Sequence, residues 1–348
     1  MPAKAIERTP SMTATVSVLG AGSWGTALAL LLARNGHAVR LWGHHPQHMA
    51  ELQAARCNRC YLPNVPFPAN LDVTADLEQA VAAREIVLIA VPSHAFRDLL
   101  LAIAPHLAPD AKIAWATKGL EINTGRLLNE VVTETLGADI PTAVLSGPTF
   151  AGEVAANQPS AITVASRQPE FAKEMASLLH NNHFRAYTTE DIIGVQLGGA
   201  TKNVLAIAAG VADGLGFGAN ARAALITRGL AEMMRLGLAM GGKSETFMGL
   251  AGVGDLILTC TDNQSRNRRF GLGLGKGLKR EEVTAQIGQE IEGVVAARIV
   301  YQLSRSHGID MPITEQTYKI LYENLAPADA VYNLLLREPK PETIAPPI

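Results

Sequence analysis

From Thr15 onward, short apolar and β-branched runs recur between stretches of helical spacing: TVSVLG from Thr15, AVRLWG from Ala38, IVLIAV from Ile86, KIAWAT from Lys112, AVLSG from Ala143 and AITVAS from Ala161. Strand-length runs alternating with amphipathic helices predict a mostly parallel sheet covered by helices. Beyond about Thr188 the strand signal fades, and Ala/Leu/Gly-rich segments at 191–213, 219–241, 281–288, 292–307 and 312–323 predict an all-helical second half. The pattern divides the chain into an N-terminal extension (1–13), an α/β domain (14–189), a helical domain (190–338) and a Pro-rich tail (339–348). A cleft between two such domains is the expected place for a site.

The run Ile192 to Ala212 is long enough to span a bilayer, but Lys202 stands at its centre, with Gln196 and Asn203 nearby. A central lysine costs about 3 kcal/mol on insertion scales, so the run reads as a core helix of a soluble domain. A length of 348 residues with 48% hydrophobic content is enough for two cores. Thirty basic against 32 acidic residues, net −2, argues against a nucleic-acid partner. Cys57, Cys60 and Cys260 are too few to staple the chain, and MPAKAIERTPSMT has no apolar stretch for export, so a cytoplasmic location is expected. The single Cys57-x-x-Cys60 lacks a second pair, and no metal is expected.

Gly20-Ala-Gly22-Ser23-Trp24-Gly25 follows a strand and opens a helical run, the context that makes G-x-G-x-x-G a dinucleotide signal. Gly20 serves the tight turn, Gly22 admits a pyrophosphate, and Gly25 allows close helix–strand packing, which makes the first domain Rossmann-like. An NAD-selective second strand usually ends in a carboxylate; here the place reads Leu41-Trp42-Gly43-His44-His45. His44 and His45, with Arg40, are suited to a 2′-phosphate, so NADP(H) should be accepted at least as well as NAD(H).

Lys202 is the only charge within 192–212, and a lone ammonium in such a segment needs a reason. Burial and a neighbouring cation would lower its pKa and make it a proton donor. Lys118 follows the strand KIAWAT, at the carboxyl end where open α/β sheets place ligands. Asp255 and Thr259 lead into Ser265-Arg266-Asn267-Arg268-Arg269, a cationic cluster suited to a phosphate.

From about Thr15 to Leu336 the sequence resembles the bacterial NAD(P)-dependent glycerol-3-phosphate dehydrogenases. The resemblance rests on ordered motifs: GAGSWGTALA (20–29), AVPSHAFRDLL (90–100), ATKGLE (116–121), LSGPTFAGEVA (145–155), TKNVLAIAAGVADGLGFGANARAALITRGLAEM (201–233), AGVGDLILTCT (251–261) and SRNRRFG (265–271). It implies reversible reduction of dihydroxyacetone phosphate to sn-glycerol 3-phosphate for phospholipid synthesis. By the same resemblance Lys202 is the proton donor or acceptor, Lys118 touches substrate and cofactor, and Asp255 lies beside them. Gly147, Thr149, Asn203, Ser265, Arg266 and Asn267 are implied as substrate contacts. Ser23, Trp24, His44, Ala151, Arg266, Glu290 and Glu292 are implied as cofactor contacts. The resemblance and the apolar helical half together imply a homodimer. Two other readings stay open on sequence alone: a lysine-dependent reductase of 3-hydroxy acids or sugar acids, and a catalytically silent NADPH-binding regulator. The retained Lys118, Lys202 and Asp255 weigh against the second.

Overall fold

A computed structural model describes residues 14–338 together with Glu342, so the expected extension 1–13 and the rest of the tail lie outside the described residues. The strands are β1 (Thr15–Leu19), β2 (Ala38–Trp42), β3 (Cys57–Asn58), β4 (Leu62–Pro66), β5 (Leu71–Thr74), β6 (Ile86–Ile89), β7 (Lys112–Trp115), β8 (Thr142–Ser146), β9 (Ser160–Ala165) and β10 (Phe184–Thr189). The six runs picked out by pattern are β1, β2, β6, β7, β8 and β9. Eight strands make one sheet in the order β10-β9-β8-β7-β6-β1-β2-β5, and β3 pairs with β4 as a separate antiparallel ribbon. The pairings from β5 across to β8 are parallel, and β8 meets β9 antiparallel, Leu145 opposite Val164. The joining segment 147–159 holds only one short helix and returns the chain beside its own strand.

Helices α1 (Ser23–Arg34), α2 (Pro46–Ala55), α3 (Leu77–Val81), α4 (Phe96–Ile103), α5 (Leu128–Leu136), α6 (Ala151–Ala155) and α7 (Pro169–Leu179) belong to this half. Side chains alternate across a strand, so Val16, Val18, Ile86 and Leu88 meet α1 and α7 on one face. Leu19, Val87, Ile89 and Trp115 meet α4 and α5 on the other. Burial of both faces explains why the central strands read as continuous apolar runs.

The second half comprises α8 (Ile192–Gly214), α9 (Ala219–Ala239), α10 (Ser244–Phe247), α11 (Asp255–Thr261), α12 (Arg266–Gly275), α13 (Arg280–Ile287), α14 (Glu292–Ser306), α15 (Pro312–Tyr322) and α16 (Pro327–Leu335). Their common core gathers Leu197, Val204 and Ile207 of α8 around Phe247, Phe270 and Val300. By length and composition α8 could cross a membrane, but 94% of its most apolar window is buried within the protein, as a core helix requires.

Glycines set how closely α8 is approached. A Cβ at Gly210 would lie 2.1 Å from the Arg268 carbonyl oxygen, and one at Gly271 would lie 2.0 Å from that of Ile207. Backbones in such contact fix α12 against α8, with Asn267 beside Asn203. At Gly199 a Cβ would lie 3.1 Å from Ser146 Oγ and 3.6 Å from Lys118 Cγ. The same helix therefore carries Lys202 close to the end of the sheet.

Candidate active site

The chain leaves the C-terminal ends of β1, β6, β7 and β8 into Gly20, Ala90, Ala116 and Gly147. The Ala90 amide donates to the Leu19 carbonyl and the Ala116 amide to that of Ile89, each at 2.8 Å, so these ends are level. From β1 the chain runs outward to β2 and β5, then returns to β6 on the other side of β1. That reversal is the switch point where open sheets bind ligands.

Lys118 and Lys202 converge here from the two halves of the molecule. Lys202 Nζ donates to Asp255 Oδ1 at 2.5 Å and to Thr259 Oγ1 at 2.9 Å. Lys118 Nζ donates to Asp255 Oδ2 at 2.7 Å and to the Gly147 carbonyl at 3.2 Å. Asp255 is 1% exposed and Lys202 6%. Burial alone would raise the Asp255 carboxyl, but the two ammonium groups outweigh it and hold the pKa below the ordinary value. Lys202 is pushed down to about 8, first by burial and further by Lys118, with Asp255 opposing. Two cations on one carboxylate leave this half-enclosed spot with a positive excess, suited to a developing oxyanion or a bound anion.

A second chain of polar groups adjoins the first. Asn267 Nδ2 donates to Asn203 Oδ1 at 3.0 Å, and Asn267 Oδ1 accepts the Gly293 amide at 2.9 Å. Asn203 Nδ2 donates to Glu292 Oε2 at 3.3 Å. Burial raises the Glu292 carboxyl, while Arg266, Lys118 and Lys202 pull it down. Ser265 caps α12 by accepting the Arg268 amide at 3.2 Å, and half-buried Arg266 stands next to it at the helix start. Gly147 and half-buried Thr149 lie at the end of β8, with Thr149 Oγ1 donating to the Gly147 carbonyl at 3.2 Å.

The glycine turn fits a dinucleotide. A Cβ on Gly20 would lie 2.6 Å from the Ala90 carbonyl oxygen, and one on Gly25 would lie 1.9 Å from that of Gly20, whereas one on Gly22 would meet nothing within 4 Å. Gly20 adopts φ +126°, accessible to glycine at low cost. The first turn of α1, which contains Ser23 and Trp24, carries no acidic residue, and its N-cap Gly22 has no side chain to occupy the amides. A helix start of this kind is open to an anion. His44 and His45 are exposed beyond β2 with ring centroids 3.7 Å apart. Ala151 begins α6 and is half-buried.

Two expectations change. Arg40 does not join the histidines: Nη1 donates to the Gln79 carbonyl at 2.9 Å and Nη2 lies 3.9 Å from Asp72, because its place in β2 turns it to the sheet's flank. Arg268 is no phosphate ligand: it is buried, donating to the Cys260 carbonyl at 3.0 Å, to Asn263 Oδ1 and to Asp213 Oδ2 at 2.5 Å. Glu290 Oε1 is engaged across the cleft by His94 Nδ1 at 3.1 Å. Thr259 stands in its motif with no role that the sequence assigns. Its spacing of four from Asp255 puts both on one helix face, and that periodicity was the available signal. Cys57 and Cys60 are free thiols.

A glycine-cradled helix start at a switch point, facing a buried Lys–Asp–Lys group, defines a nicotinamide-dinucleotide-dependent dehydrogenase with separate cofactor and catalytic halves. Family profiles described as NAD-dependent glycerol-3-phosphate dehydrogenase N-terminus and C-terminus match residues 15–172 and 191–332. The chain is 65% identical over 328 residues to glycerol-3-phosphate dehydrogenase [NAD(P)+] of Methylococcus capsulatus, covering 94% of this chain and 98% of that one. It is 60% identical over 331 residues to the enzyme of that name from Pseudoalteromonas translucida, covering 95% and 99%. The crystal structure of glycerol-3-phosphate dehydrogenase from Coxiella burnetii superposes with TM-score 0.91 at 52% identity, covering 93% and 99%. The chain belongs to the NAD(P)-dependent glycerol-3-phosphate dehydrogenase family and is an oxidoreductase.

Proposed function

We propose that this protein reduces dihydroxyacetone phosphate to sn-glycerol 3-phosphate, reversibly and with NAD(P)H, and so supplies the glycerol backbone of phospholipids. The observation that carries the reading is one buried carboxylate shared by Lys118 and Lys202, which come from different halves of the chain. In this reading residues 14–189 hold the cofactor and 190–338 complete the substrate site.

A nicotinamide cofactor, when bound, would supply the hydride; the remaining work falls to side chains. Lys202 as ammonium donates a proton to the oxygen that becomes the C2 hydroxyl, and in the reverse direction its neutral amine takes that proton. Asp255 and Thr259 hold the Lys202 amine in place. Lys118 adds positive potential that favours the developing alkoxide over the neutral ketone, the differential binding that catalysis needs. Arg266, with its fork of donors, holds the substrate phosphate, aided by the Ser265 hydroxyl, Gly147 and Thr149. Asn203 and Asn267 fix the floor of the site, Glu292 orders the Asn203 amide, and its carboxylate would border the cofactor. Gly20, Gly22, Ser23, Trp24 and Gly25 would hold the pyrophosphate, and His44 and His45 the adenosine ribose or its 2′-phosphate. Lys118, Ala151, Arg266 and Glu290 border the rest of the cofactor.

Consumption of NADPH offered with dihydroxyacetone phosphate, and with oxidised sugar acids in parallel, tests the substrate. Turnover of the phosphate alone is expected; turnover of a sugar acid alone would overturn the assignment. A cytoplasmic homodimer fits the three free thiols and the exposed Tyr332, Leu335 and Leu336 in and just after α16. Light scattering that returned a monomer mass at micromolar concentration would remove the dimer.

A further inference from the structure

The ribbon formed by β3 and β4 takes no part in the main sheet, and the Cys57-x-x-Cys60 segment that opens it has no role in the chemistry above. Between the two cysteines lies Asn58, fully buried although the loop around it is largely exposed. Asn58 Nδ2 donates to the Ala21 carbonyl at 3.0 Å and to Thr26 Oγ1 at 2.9 Å. Asn58 Oδ1 accepts the Tyr61 amide at 3.3 Å. The orientation of the amide is dictated by its partners, since a carbonyl only accepts and a backbone N–H only donates.

Ala21 lies between Gly20 and Gly22 in the glycine turn, and Thr26 lies in the first turn of α1, where its amide donates to the Gly22 carbonyl at 3.0 Å. In a planar trans peptide the C=O and the following N–H point in opposite directions. A hydrogen bond that holds the Ala21 carbonyl toward Asn58 therefore turns the Gly22 N–H away from the protein body. Gly22 has open space on the side where a Cβ would sit. A glycine on either side of Ala21 leaves this peptide plane unusually free to rotate, so its orientation needs an outside anchor.

We propose that Asn58 is a positioning residue for the cofactor: by fixing the Ala21–Gly22 peptide plane it aims the Gly22 N–H at the dinucleotide pyrophosphate. This rests on the dinucleotide reading of the site given above. Asn58 touches neither substrate nor cofactor, so its effect should fall on pyrophosphate-containing ligands as a class and leave the proton-transfer step alone.

The test measures Kd for NADPH and for ADP-ribose by titration calorimetry, with KM and kcat for dihydroxyacetone phosphate at saturating NADPH, in wild type, Asn58→Ala, Asn58→Asp and Thr26→Val. Asn58→Asp keeps the shape but offers the Ala21 carbonyl no donor. Both Asn58 variants are expected to weaken NADPH and ADP-ribose in parallel by about tenfold, the scale of one lost hydrogen bond. Their kcat and the KM for dihydroxyacetone phosphate should stay within about twofold of wild type, again less than one such bond. Thr26→Val, which removes the second acceptor only, should bind NADPH within about twofold of wild type. Unchanged affinity in Asn58→Asp overturns the proposal, as does a fall in kcat equal to the rise in Kd. Should Asn58→Ala not fold, Asn58→Asp and Thr26→Val still decide it. A wild-type protein that binds neither ligand would instead remove the dinucleotide reading itself.

Discussion

The ammonium of Lys202 lies 2.5 Å from a carboxylate oxygen of Asp255, a residue that is 1% exposed and whose other oxygen is taken by Lys118. Neither lysine is therefore a lone buried cation. The carboxylate offsets burial enough to keep Lys202 chargeable near neutrality, and the second lysine prevents it from being held as a permanent ammonium.

The pH profile should show this balance. Reduction needs the Lys202 ammonium, so kcat for reduction should fall as pH rises through about 8, while oxidation, which needs the amine, should rise over the same window. Lys202→Ala should lower kcat at least about 100-fold. In Asp255→Asn the loss of the negative charge lowers the lysine pKa further, so the residual activity should decline at lower pH. A limb that stays in place in Asp255→Asn would separate Lys202 from the titration.

Two neighbouring arginines should behave in opposite ways. Arg266→Ala should raise KM for dihydroxyacetone phosphate by about tenfold or more, with little change in melting temperature, because it removes charge-assisted bonds to ligands while its one bond within the protein, to Gln289, is exposed. Arg268→Ala leaves the buried Asp213 carboxylate with Arg222 as its remaining partner and empties the bonds to Cys260 and Asn263, at a cost of up to about 3 kcal/mol, the low end for a broken buried pair. Its folded fraction should keep a normal KM. Thermal melts and steady-state kinetics on both variants check the contrast, and matching KM shifts would refute it.

The same pair shows where the sequence stops being legible. Positions two apart on a helix point to nearly opposite faces, and which face meets the protein is decided by Gly271 lying against Ile207 and Gly210 against Arg268. Those contacts join segments far apart in the chain, and local patterning holds no record of them. Strands buried on both faces, such as β6 and β7, were visible as unbroken apolar runs. The edge strands β5 and β10 carry exposed polar positions and were not, nor was the short ribbon of β3 and β4. Lys202 stood out as the one charge in an apolar helix. Its bond to an aspartate 53 positions away did not, and the contact of Lys118 with the same group spans 137. Asn58 gave no signal, since a single asparagine beside two cysteines looks like any turn.

Cofactor choice should depend on pH. Partial loss of hydration beside the protein surface, and secondarily His45, hold the exposed His44 imidazole below its ordinary pKa, so it is neutral at physiological pH and offers a 2′-phosphate hydrogen bonding without full charge. Acidification charges it. The preference for NADPH over NADH, as the ratio of kcat/KM values, should therefore grow as pH falls below the ordinary histidine range of about 6.5, toward about 5. The double variant His44→Gln with His45→Gln should have a flat ratio. A wild-type ratio that is equally flat would place the 2′-phosphate elsewhere.

A buried carboxyl remote from the catalytic lysines sets a pH term in stability. Glu232 of α9, 1% exposed, accepts the Ile313 amide at 2.6 Å and the Thr314 amide and hydroxyl at 3.1 Å, capping the start of α15. Burial pushes its pKa up to about 7, against the opposing pull of those donors and of Arg235. A carboxyl whose pKa is higher folded than unfolded binds its proton more tightly in the native state, so its contribution is fully present below the unfolded value. It is lost as pH rises through about 7, by up to about 3 kcal/mol in total. The Gln side chain keeps an acceptor for the α15 amides and cannot ionise. Urea unfolding at pH 5 and pH 8 should show the wild type losing stability between the two, with the difference clearly smaller in Glu232→Gln. An equal loss in both would mean that Glu232 stays ionised across this range, with the α15 amides sufficient to hold its charge.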